Sequence, residues 1–450
     1  MRWLQNGWSL GRDLFRYAAG GKTAGGAAIQ SVLLTAASML MTLGSGTLLA
    51  RGLGPHDRGV FAAGTTWPYI LGAVSAVGSE AGLLICCSRS PSRAGAYASS
   101  AALLVSILVG VLGLSFAILA PRTFLREKPD IYEVALLCMP FALSTVLGVL
   151  SRQVLYADRQ FISANVNAFS QHATYTVIIS ALFFSGSLNI RTAGMAFLVG
   201  GIAPLLLVAP RLLRTLQPPL RPTPAALSEL VQFAYRAAPG DLLAIAAGFS
   251  DRILLIFLIV PAELGKYVVA YSISRVLSVL VPVSSVMIKK MSSLESGYAK
   301  RVHDLTLKIS LLMFLPALFA LEISAHAVVN VLFGWRYLGA VPALRVLALE
   351  GALFCCANIG GQLYTSVNRP GLNSAVQATS ASVTVVAVSI LALRWGALGG
   401  AVGLLIGTAT RVALLWGGMA VALRLGMPDP LPRLRDIRAV RSMLASAGRS

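Results

Sequence analysis

Twelve apolar runs occupy most of this chain, each of about the 20 residues that carry a helix across a bilayer. They fall at about 27–49, 60–86, 97–120, 133–155, 162–184, 192–213, 238–260, 266–288, 306–332, 342–365, 373–393 and 397–423. Hydrophobic residues make up 56% of the 450 and charged residues 12%, which excludes a water-soluble protein of this length. Backbone groups facing hydrocarbon have no water to pair with, so runs this long and uniform are helical; barrel strands would show short alternating segments. The expected fold is an all-α polytopic membrane protein with about twelve transmembrane helices in two six-helix bundles.

The two bundles are read from a repeat. Pro55-His56-Asp57-Arg58-Gly59-Val60-Phe61 follows the first run and returns after the seventh, about 206 residues on, as Pro261-Ala262-Glu263-Leu264-Gly265-Lys266-Tyr267. Proline, acid, glycine and aromatic keep the same spacing. Other echoes keep the same order: Tyr156-Ala157-Asp158-Arg159-Gln160 resembles Tyr364-Thr365-Ser366-Val367-Asn368-Arg369, and Arg191-Thr192-Ala193-Gly194 resembles Trp395-Gly396-Ala397-Leu398-Gly399. Parallel repeats are a transporter architecture, with substrate sites near mid-membrane where the halves meet. Gln217-Pro218-Pro219-Leu220-Arg221-Pro222-Thr223-Pro224 reads as a linker between them. Thr223 caps a short amphipathic helix through Leu227, Leu230, Val231 and Phe233, expected to lie at the membrane surface ahead of Pro239. The organisation is thus an interfacial segment 1–26, bundles 27–213 and 238–423, a linker 214–237 and a basic tail 424–450.

The net charge of +20 is spread through loops rather than gathered on one soluble domain, so no nucleic-acid partner is read. Its sidedness is informative. Alternate loops, from Arg2, Arg12, Arg16 and Lys22 to Arg424, Arg433, Arg435, Arg438, Arg441 and Arg449, hold about 23 Lys and Arg against about 10 opposite, which puts both termini in the cytoplasm; a bacterial-type inner membrane is the expected location. No cleaved-signal pattern precedes Gly26, and Trp3, Leu4, Trp8, Leu10, Leu14 and Phe15 among those arginines suit an interfacial helix. Cys86, Cys87, Cys138, Cys355 and Cys356 read as small buried hydrophobes. His56, His172, His303 and His326 form no zinc pair, and Gly21-Lys22-Thr23 lacks the leading glycine and preceding strand of a phosphate loop. No metal, cofactor or ATP is indicated.

Gly54-Pro55-x-x-x-Gly59-x-Phe61, with Asp251-Arg252-Ile253-Leu254-Leu255-Ile256 and the following Leu264-Gly265-Lys266-Tyr267-Val268-Val269-Ala270, resembles the multidrug/oligosaccharidyl-lipid/polysaccharide (MOP) exporter superfamily, in particular its polysaccharide-transport branch of O-antigen-type flippases. The resemblance spans about residues 24–423. It implies a V-shaped, MATE-like pair of bundles working by alternating access on a polyprenyl-pyrophosphate-linked oligosaccharide. Membrane lipids and polysaccharide-assembly machinery are the implied partners. Two departures argue against a peptidoglycan precursor as cargo: the first run carries no charge between Lys22 and Arg51, and no helix pair follows the twelfth.

A pyrophosphate leaving water needs cations inside the membrane. Arg252, Arg275, Arg411 and Lys308 lie within apolar runs. Arg275, with polar neighbours and no acid within one turn, is the strongest candidate. Arg252 is adjacent to Asp251, Arg411 faces either the cavity or Glu350, and Lys308 is near enough to an end to snorkel. Glu80, Glu322 and Glu350 are the acids within runs, and Glu322 shares a helix face with His326. That pair is a candidate proton carrier. The alternative of a sodium ion on an acid and backbone carbonyls stays open. Pro68 and Pro282 are expected to interrupt helices at related places, with Pro140, Pro204 and Pro316 as further breaks. Gly399, Gly403 and Gly407 form a close-packing ridge. A cation-coupled multidrug exporter is the main rival, although the intramembrane charges lean basic. The loop around Pro121 to Asp130 is too short to build the site of a glycan polymerase or ligase, so an enzyme is not expected.

Overall fold

The computed structural model describes residues 24–123, 125–216, 220–276 and 296–430. The interfacial segment up to residue 23, Gln217-Pro218-Pro219, the end of the eighth run with Pro282, and the tail beyond residue 430 lie outside the described residues. The protein is an all-α polytopic membrane protein, and no strand occurs among the described residues. The 12 α-helices among the described residues are α1 (Ala24–Ser75), α2 (Ser79–Arg89), α3 (Ala94–Leu119), α4 (Pro129–Cys138), α5 (Pro140–Ala157), α6 (Phe161–Phe184), α7 (Ile190–Thr215), α8 (Pro224–Leu258), α9 (Pro261–Val276), α10 (Ser296–Phe333), α11 (Val341–Ser366) and α12 (Pro370–Val421).

Helices and membrane passes do not match one to one. Among the described residues, 6 helices are each apolar and long enough to cross a membrane, and α4 with α5, bent by 40°, can make a seventh. The terminal helices α1 and α12 are 52 residues each, about 78 Å of helix and more than twice the hydrocarbon thickness. Each holds two passes and turns over at a glycine with φ that side chains rarely adopt: Gly54 at 76° and Gly396 at 54°. The remaining apolar runs carry buried polar groups, such as Asn165 and Asn167 in α6 and Asp251 in α8, or, for α9, are described for only 16 residues. Large apolar side chains such as Phe184 and Ile323 are exposed, as lipid-facing positions should be.

The prolines act differently from expectation. Pro140 does start a new helix at the bend, but Pro68, Pro204 and Pro316 lie inside continuous ones. The second pass breaks further on, at Gly78, whose φ is 66°. A membrane helix absorbs the missing proline N–H as a local adjustment, whereas a left-handed residue reverses the chain.

The echoes 156–160 and 364–369 fold into the same cap. Arg159 and Asn368 both take left-handed backbone, with φ 58° and 59°. Gln160 N–H donates to Leu155 O, and Arg369 N–H donates to Tyr364 O, each at 2.8 Å. The structural register therefore pairs Leu155 with Tyr364, one residue off the tyrosine-to-tyrosine match suggested by the letters.

Packing divides the described residues into two compact units, one within 24–272 with 332–339 and one within 273–331 with 340–430. In the first, Leu83, Tyr97, Val105, Val146 and Leu150 form a core with Leu230 of α8. In the second, Leu307, Cys355, Cys356, Ile359, Leu363, Val412 and Leu415 do the same. The cysteines are free, and all but Cys86 are buried. A Cβ on Gly399, Gly403 or Gly407 would stand within 2.6 Å of Leu391, Val388 or Thr384, so the ridge lets the two arms of α12 touch.

The linker helix is not separate. Thr223 accepts from the Ala226 N–H at 3.3 Å, as its capping role requires, but α8 then runs without interruption through Pro239. Its inner face packs on the bundle: Glu229 accepts from the Tyr97 hydroxyl at 2.5 Å and from Arg93 at 3.2 Å. The tyrosine bond chiefly, with Arg93, holds the Glu229 carboxyl below its ordinary range. Phe233 and Ala234 sit against Gly82 and Gly78, at the break in the second pass.

Candidate functional site

The two copies of the repeated loop meet within the first compact unit. A Cβ on Gly59 would stand 1.8 Å from the carbonyl oxygen of Pro261, and one on Gly265 would stand 2.1 Å from that of Pro55. The contact is reciprocal: each glycine admits the other copy's proline carbonyl. The aromatic positions Phe61 and Tyr267 are both buried. The acids are engaged locally, Asp57 with His56 at 3.0 Å and Glu263 with Lys266 at 2.6 Å. Nearby, Tyr337 donates to Ala50 O at 3.0 Å and Arg51 to Leu332 O at 2.8 Å. Lys128 donates to the carbonyl end of α8, at Ile256, Phe257 and Ile259, and burial there pushes its ammonium below the usual range.

At one position an arginine of the first copy stands opposite a buried leucine of the second. Leu264 is 3% exposed in the second copy, and its counterpart in the first is Arg58. Arg58 reaches back along the first pass, its Nη2 lying 4.0 Å from where a Cβ on Gly46 would stand. That level is about 12 Å from the Gly54 turn. Its Nε is enclosed and has no hydrogen-bond partner among the described residues. The repeat offset sets Gly46 against Arg252. Arg252 lies over the rings of Tyr271 at 4.7 Å and Phe249 at 5.9 Å. By sequence register, the Arg58 guanidinium of the first half lies beside the position that Arg252 occupies in the second. The neighbouring Asp251 is 4% exposed and accepts from the Tyr267 hydroxyl at 2.7 Å.

In the second compact unit Arg275 meets an acid from another helix. Its Nη2 is 3.1 Å from Glu350 Oε2, and its guanidinium lies 4.4 Å over the Phe354 ring. The other carboxylate oxygen accepts from Thr408 at 2.9 Å. Arg411, three residues beyond Thr408, has its Nε enclosed with no hydrogen-bond partner among the described residues. Lys308 pairs with Asp429 at 3.0 Å.

The remaining acids separate. Glu80 begins α2 in the field of Arg152 and Asp241. Asp241 itself accepts from the Gly78 N–H at 2.9 Å. Glu322 turns to Arg345, 3.8 Å away, while His326 is exposed; among the described residues no hydrogen bond or ion pair joins the two. Helical spacing put them on one face, but a cation on the next helix outcompetes a neighbouring imidazole. A pocket of about 340 Å³ opens beside the first loop, among Asp57, Asp130, Glu133 and Arg191, and none of the candidate cations lines it.

Sequence reasoning missed Arg58 because it treated 55–61 as a loop. The signal was available in the repeat itself, where an arginine stands opposite a leucine.

No protein-family model matches the chain. An uncharacterized membrane protein of Methanocaldococcus jannaschii is 27% identical over 144 residues, which span 31% of this chain and 27% of that protein. Among solved structures, the lipid II flippase MurJ in an inward closed conformation superimposes with a TM-score of 0.75 at 14% identity, over 87% of this chain and 88% of the other. An inward-facing multidrug resistance MATE family transporter of the MOP superfamily gives 0.70 at 16% identity, over 86% and 95%. The chain has the fold that this flippase and this MOP-superfamily transporter share.

Proposed function

We propose that the protein is a flippase that moves a polyprenyl-pyrophosphate-linked oligosaccharide from the cytoplasmic to the outer leaflet, serves cell-surface polysaccharide export, and is not an enzyme. The observation that carries this reading is Arg58, a half-buried arginine with its Nε enclosed, where the other copy of the same loop holds a buried leucine. The fold does not need the charge, so the charge has another use; an intramembrane cation is a functional site by default. Arg252, at the equivalent level of the other half, supplies a second cation, backed by aromatic faces that suit a guanidinium. The fold shared with a lipid II flippase supports a lipid-borne cargo. In this reading both termini are cytoplasmic, the halves 27–213 and 238–423 alternate access about the repeat axis, and a proton or sodium gradient is the candidate drive.

The test is reconstitution in liposomes carrying a lipid-linked oligosaccharide, scored by glycan exposed to an impermeant glycosidase. Wild type should expose the glycan. Arg58→Leu, which installs the second copy's residue, should fold normally and lower the rate at least about ten-fold, the loss of one charge-assisted contact. No exposure by wild type, together with gradient-driven efflux of a cationic dye, would transfer the assignment to the multidrug exporters that share the fold.

A further inference from the structure

Arg58 and His172 meet the first pass of α1 on one face. Arg58 Nη2 lies 4.0 Å from where a Cβ on Gly46 would stand, and His172 of α6 brings its Nδ1 to 3.2 Å from the Thr42 hydroxyl. Thr42 and Gly46 are four residues apart, so the two contacts share a helix face and are spaced by about 6 Å along it. Thr42 is exposed and His172 half-buried. Accessible polar groups in a membrane span face a water-filled cavity rather than lipid.

The threonine decides which ring nitrogen carries hydrogen. Its hydroxyl has a single hydrogen and donates it to Ser38 O at 2.8 Å. Toward His172 it can then only accept, so Nδ1–H is the donor and Nε2 of the neutral ring holds the lone pair. Beside the Arg58 guanidinium the ring stays neutral, because like charges repel strongly where water is scarce. No hydrogen bond joins Nε2 to a described residue. Holding Thr42 uses only the Nδ1 side of the ring.

Resting on the flippase reading above, we infer that His172 reads the first sugar of the cargo: with the pyrophosphate on Arg58, Nε2 accepts a hydrogen bond from a hydroxyl of the sugar attached to it. The distal phosphate of a lipid-linked glycan carries the sugar directly, so the sugar begins about where the next turn of the first pass places His172. His172 is a specificity-determining residue, and Thr42 a positioning residue that fixes its tautomer. Together they tell a glycan-bearing carrier lipid from the bare one.

The experiment measures binding of polyprenyl pyrophosphate, bare and carrying a single glucose, to the full chain in nanodiscs of neutral lipid. Wild type should hold the glucose-bearing lipid about five-fold more tightly, the worth of one net hydrogen bond. His172→Asn keeps a donor for Thr42 but lacks the Nε2 acceptor, and should abolish the difference. His172→Gln puts an amide oxygen near the place of Nε2 and should keep most of it. A histidine that only holds Thr42 predicts the reverse, with Asn harmless and Gln damaging. That reversal, or a wild type that binds both lipids equally, overturns the inference alone. If His172→Asn does not fold, loss of the difference in a folded His172→Gln overturns it as well. Wild type that binds neither lipid overturns the flippase reading and this inference together.

Discussion

Individual side chains show where charge in this bundle is structural and where it is spare. Asp251 is enclosed and held by the Tyr267 hydroxyl, so Tyr267→Phe should cost about 1–3 kcal/mol through the acceptor it leaves unsatisfied. Thermal unfolding in detergent checks this, and an unshifted midpoint would mean that Asp251 has another donor of equal worth. Arg275 looked unpaired from its own helix and is paired from a distant one, across 75 residues. No local reading could find Glu350 as its partner, because the pairing is decided by which faces of α9 and α11 meet. Arg58 shows the opposite case: its place opposite Leu264 was legible, but only by reading one copy of the repeat against the other.

Helices and loops carried most of the legible information. The apolar runs located the passes, the threonine cap of α8 formed as its sequence implied, and the glycine ridge of α12 packs as its spacing required. The breaks were misjudged because proline was weighted above glycine, although a left-handed residue turns a chain more sharply than a missing N–H. The reciprocal seam yields an element-level prediction. Gly59→Ala places a methyl 1.8 Å from a backbone oxygen that cannot rotate away, so it should part the two loops, while Gly186→Ala, a left-handed glycine with open space around it, should leave them joined. Cross-linking between cysteines at positions 57 and 263 reads the difference; equal yields in both variants would show that the seam does not depend on Gly59.

For the molecule as a whole, fold class and the repeat could be read from the letters, but the packing units could not. A unit depends on which surfaces are buried together, and the eighth pass is shared between the two. The predicted orientation is tested with the five native cysteines replaced. An impermeant thiol reagent added outside intact cells should label Ser187→Cys, and should reach Asp158→Cys only after permeabilisation. The reverse pattern would invert the topology.

The seam also bears on descent. Each glycine is held to its identity by the other copy's backbone, so neither loop can drift alone, and the duplication stays visible there while most of the two halves has diverged. A single six-pass ancestor pairing with itself would have formed this contact twice around one two-fold axis, as every isologous dimer does. The tandem chain keeps both contacts, with an arginine on one side of the old symmetry and a leucine on the other.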